Sequence, residues 1–121
     1  MMTQENTINS LPATMQAMVF EKAGTALVFK ELSRPEPSAE QVLIKVIACG
    51  VCRTDLHIID GELKHPNLPL VIGHEVIGKV VKAGEAVSRL KPVDMVGVPW
   101  LAYACGHCKY CKSGKENLCD N

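Results

Sequence analysis

From Met15 onward, short apolar runs alternate with turn signals, and the spacing is that of strands. Residues 15–22 (MQAMVFEK) and 26–32 (ALVFKEL) flank an Ala-Gly-Thr turn, which predicts a β-hairpin. Two prolines break residues 34–41 (RPEPSAEQ), and residues 42–50 (VLIKVIACG) then run nearly all apolar as a longer strand. Residues 53–59 (RTDLHII) predict a short turn of helix after it. The prolines at 66 and 69 forbid a continuous helix over 60–70 (DGELKHPNLPL), so a loop is expected there. Another strand follows at 74–84 (HEVIGKVVKAG), with Gly78 in its middle marking a bulge or a close neighbouring backbone. A last strand is read at 93–100 (VDMVGVPW), ending in a cysteine-rich loop. There is no internal repeat, heptad or low-complexity tract. The fold class expected is mainly β, a partly closed barrel with short helices.

Composition narrows the possibilities. A chain of 121 residues fits one domain, large enough to bury somewhat more than ~60% of its unfolded surface. Apolar residues at 47% and charged residues at 21% are ordinary globular material. Thirteen basic against thirteen acidic side chains leave no electrostatic footprint for nucleic acid or an anionic membrane. Residues 1–14 have neither the charged n-region nor the apolar h-region of a secretory signal, and read as a flexible extension. No run approaches the ~18 apolar residues of a membrane span. A cytoplasmic address is expected, where clustered cysteines are more often metal ligands than disulfides.

Four of the six cysteines fall in CGHCKYCKSGKENLC, spaced C-x2-C-x2-C-x7-C at Cys105, Cys108, Cys111 and Cys119. Four thiolates can surround a tetrahedral Zn²⁺ and leave no coordination position open. Such a site stiffens a loop but activates no water. Gly106 and Gly114 suit the tight turns this requires. The spacing begins like a ferredoxin run, but that run continues x3-C-P, whereas seven residues intervene here and Asp120 follows. An iron–sulfur cluster and disulfides are the weaker readings. Lys109, Lys112 and Lys115 are more simply solvated charges near a negative centre than a nucleic-acid surface, and His107 could compete for metal.

A second constellation combines ACGVCRTDLH (48–57) with GHE (73–75). Cys52, ending one strand, and His74, opening another, supply two of the three protein ligands a catalytic zinc site uses. Glu75 is a weak third, because neighbouring residues on a strand point to opposite faces. Each residue has a plainer reading. Cys52 alone is more often buried filler and His74 a hydrogen-bonded core histidine. Thr54, Asp55 and His57 are ordinary helix-start residues. Arg53 is a solvated arginine, and Cys49, which forms C-x-x-C with Cys52, is read as packing.

Three stretches resemble the zinc-dependent alcohol dehydrogenases of the medium-chain dehydrogenase/reductase superfamily. GVCRTDLH resembles the first zinc-ligand segment. GHEVIGKVVKAGEAV fits the signature G-H-E-x2-G-x5-[GA]-x2-[IVSAC] through Gly78, Gly84 and Val87, and VGVPWLAYACGHCKYCKSGKENLC resembles the structural-zinc lobe. The resemblance runs from Met15 to the last residue. It implies a GroES-like catalytic domain over 15–121, with a zinc lobe at 100–121. Two zinc ions are implied, one structural on the four-cysteine loop and one catalytic on Cys52 and His74, with Glu75 close behind. Alcohol dehydrogenase is itself the standard example of the Cys2His catalytic set. By the same resemblance Thr54 binds the alcohol hydroxyl, His57 passes its proton to solvent and Asp55 orients the zinc-bound histidine. Arg53 meets the pyrophosphate of NAD or NADP, and Trp100 lines the pocket of a small alcohol or aldehyde substrate.

Where the family commonly reads G-D-R-V, this chain has Val93, Asp94, Met95 and Val96, which puts the local turn in question. The family's third catalytic ligand, a cysteine beyond the lobe, is not reached by Asn121, and no G-x-G-x-x-G occurs. The expectation is therefore the amino-terminal portion of an enzyme that oxidises a primary or secondary alcohol by hydride transfer to NAD(P)⁺. This portion is expected to be inactive alone and the full-length enzyme to be a homo-oligomer without nucleic-acid or membrane partners. The rival is a non-enzymatic zinc-binding or GroES-like structural module, which needs neither GHE nor the four-cysteine spacing.

Overall fold

The computed structural model describes residues 11–64, 66–101 and 103–120. The first ten residues of the expected extension lie outside that set, as do positions 102 and 121 of the expected zinc lobe. Six strands lie among the described residues: β1 (Thr14–Phe20), β2 (Val28–Ser33), β3 (Val42–Cys49), β4 (Leu70–Val71), β5 (Val76–Ala83) and β6 (Met95–Val98). Among the described residues, helix α1 (Arg53–Ile59) follows β3, and two single 3-10 turns lie in the cysteine loop.

The predicted hairpin forms, with β1 and β2 antiparallel from Thr14↔Ser33 to Val19↔Val28. β1 therefore starts inside the stretch read as extension, and the Arg34 N–H donates to the Ala13 carbonyl at 2.9 Å just beyond it. β4, which begins at the last residue of the segment expected to be loop, pairs with β1 through Val19↔Val71 and Phe20↔Leu70. Two residues are too few to show alternation in a sequence, and this strand exists because β1 offers it an edge. β1 is thus central in its sheet, and the core gathers on it: Phe20 is fully buried and Val19 nearly so.

The second sheet has the order β3-β5-β6, all antiparallel. Gly78 in the central strand answers both expectations. The β3–β5 register shifts between Val46 and Ala48, opposite Gly78 and Ile77, and a Cβ at Gly78 would sit 2.3 Å from Ile44 Cγ2 and 2.8 Å from the Lys45 carbonyl oxygen. The sheets stay separate and three-stranded, so the mainly β fold is not a closed barrel.

The core is smaller than the composition suggests. Among the described residues only Val19, Phe20, Val80 and Cys111 are buried apolar side chains, while Val46, Ile47, Ile77 and Met95 of the second sheet are all at least half exposed. Apolar content measures how much could be buried, and it does not say which faces find a cover. No helix among the described residues is long and apolar enough to cross a membrane.

Candidate metal centres

Antiparallel pairing dictates where the first site forms. Cys49 at the end of β3 pairs with Val76 at the start of β5, and the Gly50 N–H donates to the Glu75 carbonyl at 2.9 Å. The chain leaving β3 must therefore lie beside the chain entering β5, and Cys52 meets His74. The end of β6 comes to the same place, because Val98 pairs with Val76. Trp100, two residues on, stands edge-to-face against His74 with ring centroids 5.6 Å apart and planes at 86°.

Neither ligand candidate belongs to a strand. Cys52 is the N-cap of α1 and His74 precedes β5 in extended loop. This corrects the expectation for Glu75: residues 74 and 75 lie outside the pleat, so no alternation separates them. Ligand atoms of Cys52, His74 and Glu75 lie within 4.8 Å of one another. Gly50 leaves room for that carboxylate, since a Cβ there would stand 2.6 Å from Glu75 Oε2.

The short helix supplies the supporting groups. Asp55 is 4% exposed, and its Oδ2 accepts the Cys52 backbone N–H at 2.8 Å, tying the first turn to the cap. Its Oδ1 is sealed from solvent and approaches His74 Nδ1 at 3.4 Å, a long charged contact without an aligned hydrogen bond. With Nδ1 turned to Asp55, Nε2 is the nitrogen left for an ion. Thr54 Oγ1 lies 3.7 Å from Cys52 Sγ. His57 falls three residues after Thr54, on the same helix face. Arg53 begins the helix and is exposed.

Cys52 and His74 polarise each other. The Thr54 backbone N–H, then His74, hold the Cys52 thiol below its ordinary pKa, and Cys52 raises the His74 imidazole above its own against the opposing effect of burial. A thiolate, an imidazole and a carboxylate converging on one point are a donor set that suits Zn²⁺.

The second site is the four-cysteine loop, whose sulfurs also lie within 4.8 Å of one another. None of the six cysteines is in a disulfide. The Cys105 and Cys111 sulfurs are 3.9 Å apart, close to the ~3.8 Å between thiolates bound at ~2.3 Å around a tetrahedral ion, and far from the ~2.05 Å of a disulfide. The backbone wraps the cluster: Cys108 N–H points to Cys105 Sγ at 3.3 Å, Cys111 N–H to Cys108 Sγ at 3.5 Å, and Cys105 N–H to Cys119 Sγ at 3.4 Å. Both loop glycines take the left-handed conformation, Gly106 at φ 74° and Gly114 at φ 71°. His107 stands apart from the sulfurs, its Nδ1 2.9 Å from the Cys105 carbonyl oxygen. N–H groups of His107 and Cys108 lower Cys105 to about 6, while burial pushes Cys111 up to about 12.

Two residues stand differently from the sequence reading. Cys49, read as packing, is exposed, with its sulfur against Gly73. Glu62 carries no mark in the sequence, although its Oε2 lies 2.7 Å from His57 Nδ1. The available signal is the glycine before it, which ends the helix and folds the next residue back.

The fold and the two ligand clusters define a mainly β domain with two candidate metal centres. Residues 38–121 match the alcohol dehydrogenase GroES-like domain, and the chain belongs to that family. It is similar to an alcohol dehydrogenase of Geobacillus stearothermophilus, 48% identical over 107 residues that are 88% of this chain and 32% of the relative. Among solved structures it is similar to the apo form of zinc dependent alcohol dehydrogenase 2 from Streptococcus pneumonia, with a TM-score of 0.78 and 34% identity over 88% of this chain and 30% of that one. It is also similar to CAD from Helicobacter pylori complexed with NADP(H), with a TM-score of 0.76 and 28% identity over 87% and 30% respectively. The chain thus spans about a third of the length of these proteins.

Proposed function

We propose that this chain is the GroES-like, metal-binding portion of a zinc-dependent alcohol dehydrogenase, spanning residues 15–121. The complete enzyme oxidises a primary or secondary alcohol to the aldehyde or ketone, with hydride passing to NAD(P)⁺. The convergence of Cys52, His74 and Glu75, with Asp55 sealed behind His74, carries this reading.

Cys52 and His74, joined by Glu75, would hold one Zn²⁺, and Cys105, Cys108, Cys111 and Cys119 a second, structural one. The first ion when bound supplies a Lewis acid that lowers the pKa of an alcohol hydroxyl. Thr54 Oγ1, beside Cys52, receives the substrate hydroxyl hydrogen bond and hands the proton on. His57, one helical turn away on the same face, passes it to solvent. Asp55 holds His74 by Nδ1 so that the ring stays in one orientation. Trp100, edge-on to His74, lines the substrate pocket, and Arg53 meets the cofactor pyrophosphate. The four-cysteine loop, closed by its own ligands, braces the scaffold. No glycine-rich dinucleotide turn occurs in these 121 residues, so Arg53 would be a partial contact to a hydride acceptor held mainly by other residues, and the chain alone is expected to oxidise no alcohol. A cytoplasmic, homo-oligomeric enzyme is proposed on the resemblance alone.

The test is Cys52→Ser in the complete protein. NAD(P)H formation from small alcohols should disappear while circular dichroism and the four-cysteine ion are kept. Undiminished turnover would defeat the reading.

A further inference from the structure

We infer that Glu62 is a positioning residue for His57, fixing the imidazole in the tautomer with hydrogen on Nδ1 and leaving Nε2 bare to accept a proton. The inference rests on the proton-exit role proposed for His57.

Backbone geometry puts the two residues together. Helix α1 ends at Ile59 with Asp60 as its cap, and Gly61 takes φ 84°, the left-handed conformation a helix stop needs. The Gly61 N–H donates to the Ile58 carbonyl at 3.1 Å, and the Glu62 N–H reaches back to the His57 carbonyl at 3.0 Å. These are the two bonds of a Schellman motif, which lays the residue after the glycine against the third residue from the helix end. Glu62 and His57 are therefore paired by the turn before their side chains are considered.

The side chains then close the contact. Glu62 Oε2 lies 2.7 Å from His57 Nδ1, and that nitrogen is sealed from solvent. The contact does not meet hydrogen-bond geometry, yet a bare ring nitrogen and a carboxylate oxygen would repel at this distance. A proton must lie between them, and a carboxylate is the stronger claimant to an N–H donor, so Nδ1 carries it. One ring nitrogen's partner sets the role of the other. Nε2 then takes a proton arriving by way of Thr54 and releases it to water, while the Nδ1 hydrogen stays on the ring, directed at Glu62. The Glu62 side chain is 59% exposed, so its loss leaves no buried hole, and the backbone bond to His57 survives substitution.

The test has two arms. In the 121-residue chain at a pH where imidazole is neutral, long-range ¹H–¹⁵N correlation should show His57 as the Nδ1–H tautomer, with Glu62→Ala shifting it toward Nε2–H and Glu62→Gln intermediate. In the complete protein Glu62→Ala should lower kcat on the order of tenfold with KM for alcohol unchanged, as expected when acid–base positioning is lost. An Nε2–H tautomer in the native chain, or one unmoved by Glu62→Ala, overturns the inference. A tautomer that moves while kcat does not overturns instead the role proposed for His57 and the catalytic half of the inference with it.

Discussion

Asp55 Oδ1 lies 3.4 Å from His74 Nδ1 while Oδ2 of the same carboxylate accepts the Cys52 N–H at 2.8 Å. One buried side chain thus governs two candidate ligands, although it belongs to neither cluster. The carboxylate orients the imidazole through charge, and it orients the cysteine through the helix cap. Asp55→Asn keeps the shape and removes the charge. It should weaken Zn²⁺ binding at the Cys52 site about 10- to 100-fold, the usual loss for a supporting partner of a ligating histidine. Competitive titration against a chelator measures this, and unchanged affinity would show that the contact orients nothing.

The cysteine loop separates its thiols by environment. Cys105, held down to about 6, is largely thiolate at neutral pH, whereas buried Cys111 at about 12 stays a thiol. In the metal-free chain at pH 7.5, iodoacetamide should modify Cys105 first and Cys111 last, because the thiolate is the reacting form. The Cys105 rate should hold near neutral pH, fall to about half by pH about 6 and decline further below it, as protonation removes the nucleophile. Peptide mapping by mass spectrometry reads the order, and equal rates at all four cysteines would contradict it.

Val93 occupies a glycine's place. The family's commonly glycine position here holds a β-branched residue at φ 82°, and the turn is nonetheless formed: the Asp94 N–H donates to the Lys91 carbonyl at 3.2 Å and the Val93 N–H to the Val80 carbonyl at 2.9 Å. The left-handed conformation costs a non-glycine residue about 1–3 kcal/mol, while glycine loses roughly 0.5–1 kcal/mol more backbone freedom on folding. Val93 is 65% exposed, so little packing offsets the strain. Val93→Gly should therefore stabilise the chain by about 1 kcal/mol, read as a higher urea midpoint at unchanged m-value. A lowered midpoint would mean that the side chain contributes more than the strain costs.

The elements legible in the sequence are those with a local cause. Helix α1 is bounded there because Thr54 and Asp55 are first-turn residues, and Gly78 is legible because a missing side chain mid-strand marks a bulge or a close neighbouring backbone. β4 is invisible, since Leu70 and Val71 become a strand only when Val19 and Phe20 lie beside them. Glu75 is misjudged when the strand is extended two residues too far, which imposes an alternation the backbone does not have there. Glu62 is hidden because its partner His57 is fixed by the geometry of the helix stop, which spacing alone does not display. The exposed faces of β3, β5 and β6 are hidden for a different reason, since the cover a face receives is a property of tertiary structure.

The decisive measurement is metal stoichiometry, with Co²⁺ spectroscopy, on the 121-residue chain and on Cys52→Ser and Cys105→Ser. Two ions per chain are expected, with Cys52→Ser losing one and keeping the all-sulfur charge-transfer bands, and Cys105→Ser losing or weakening those bands while the other ion remains. A single ion per chain, or a count that Cys52→Ser leaves unchanged, would contradict the claim that Cys52 and His74 share a metal.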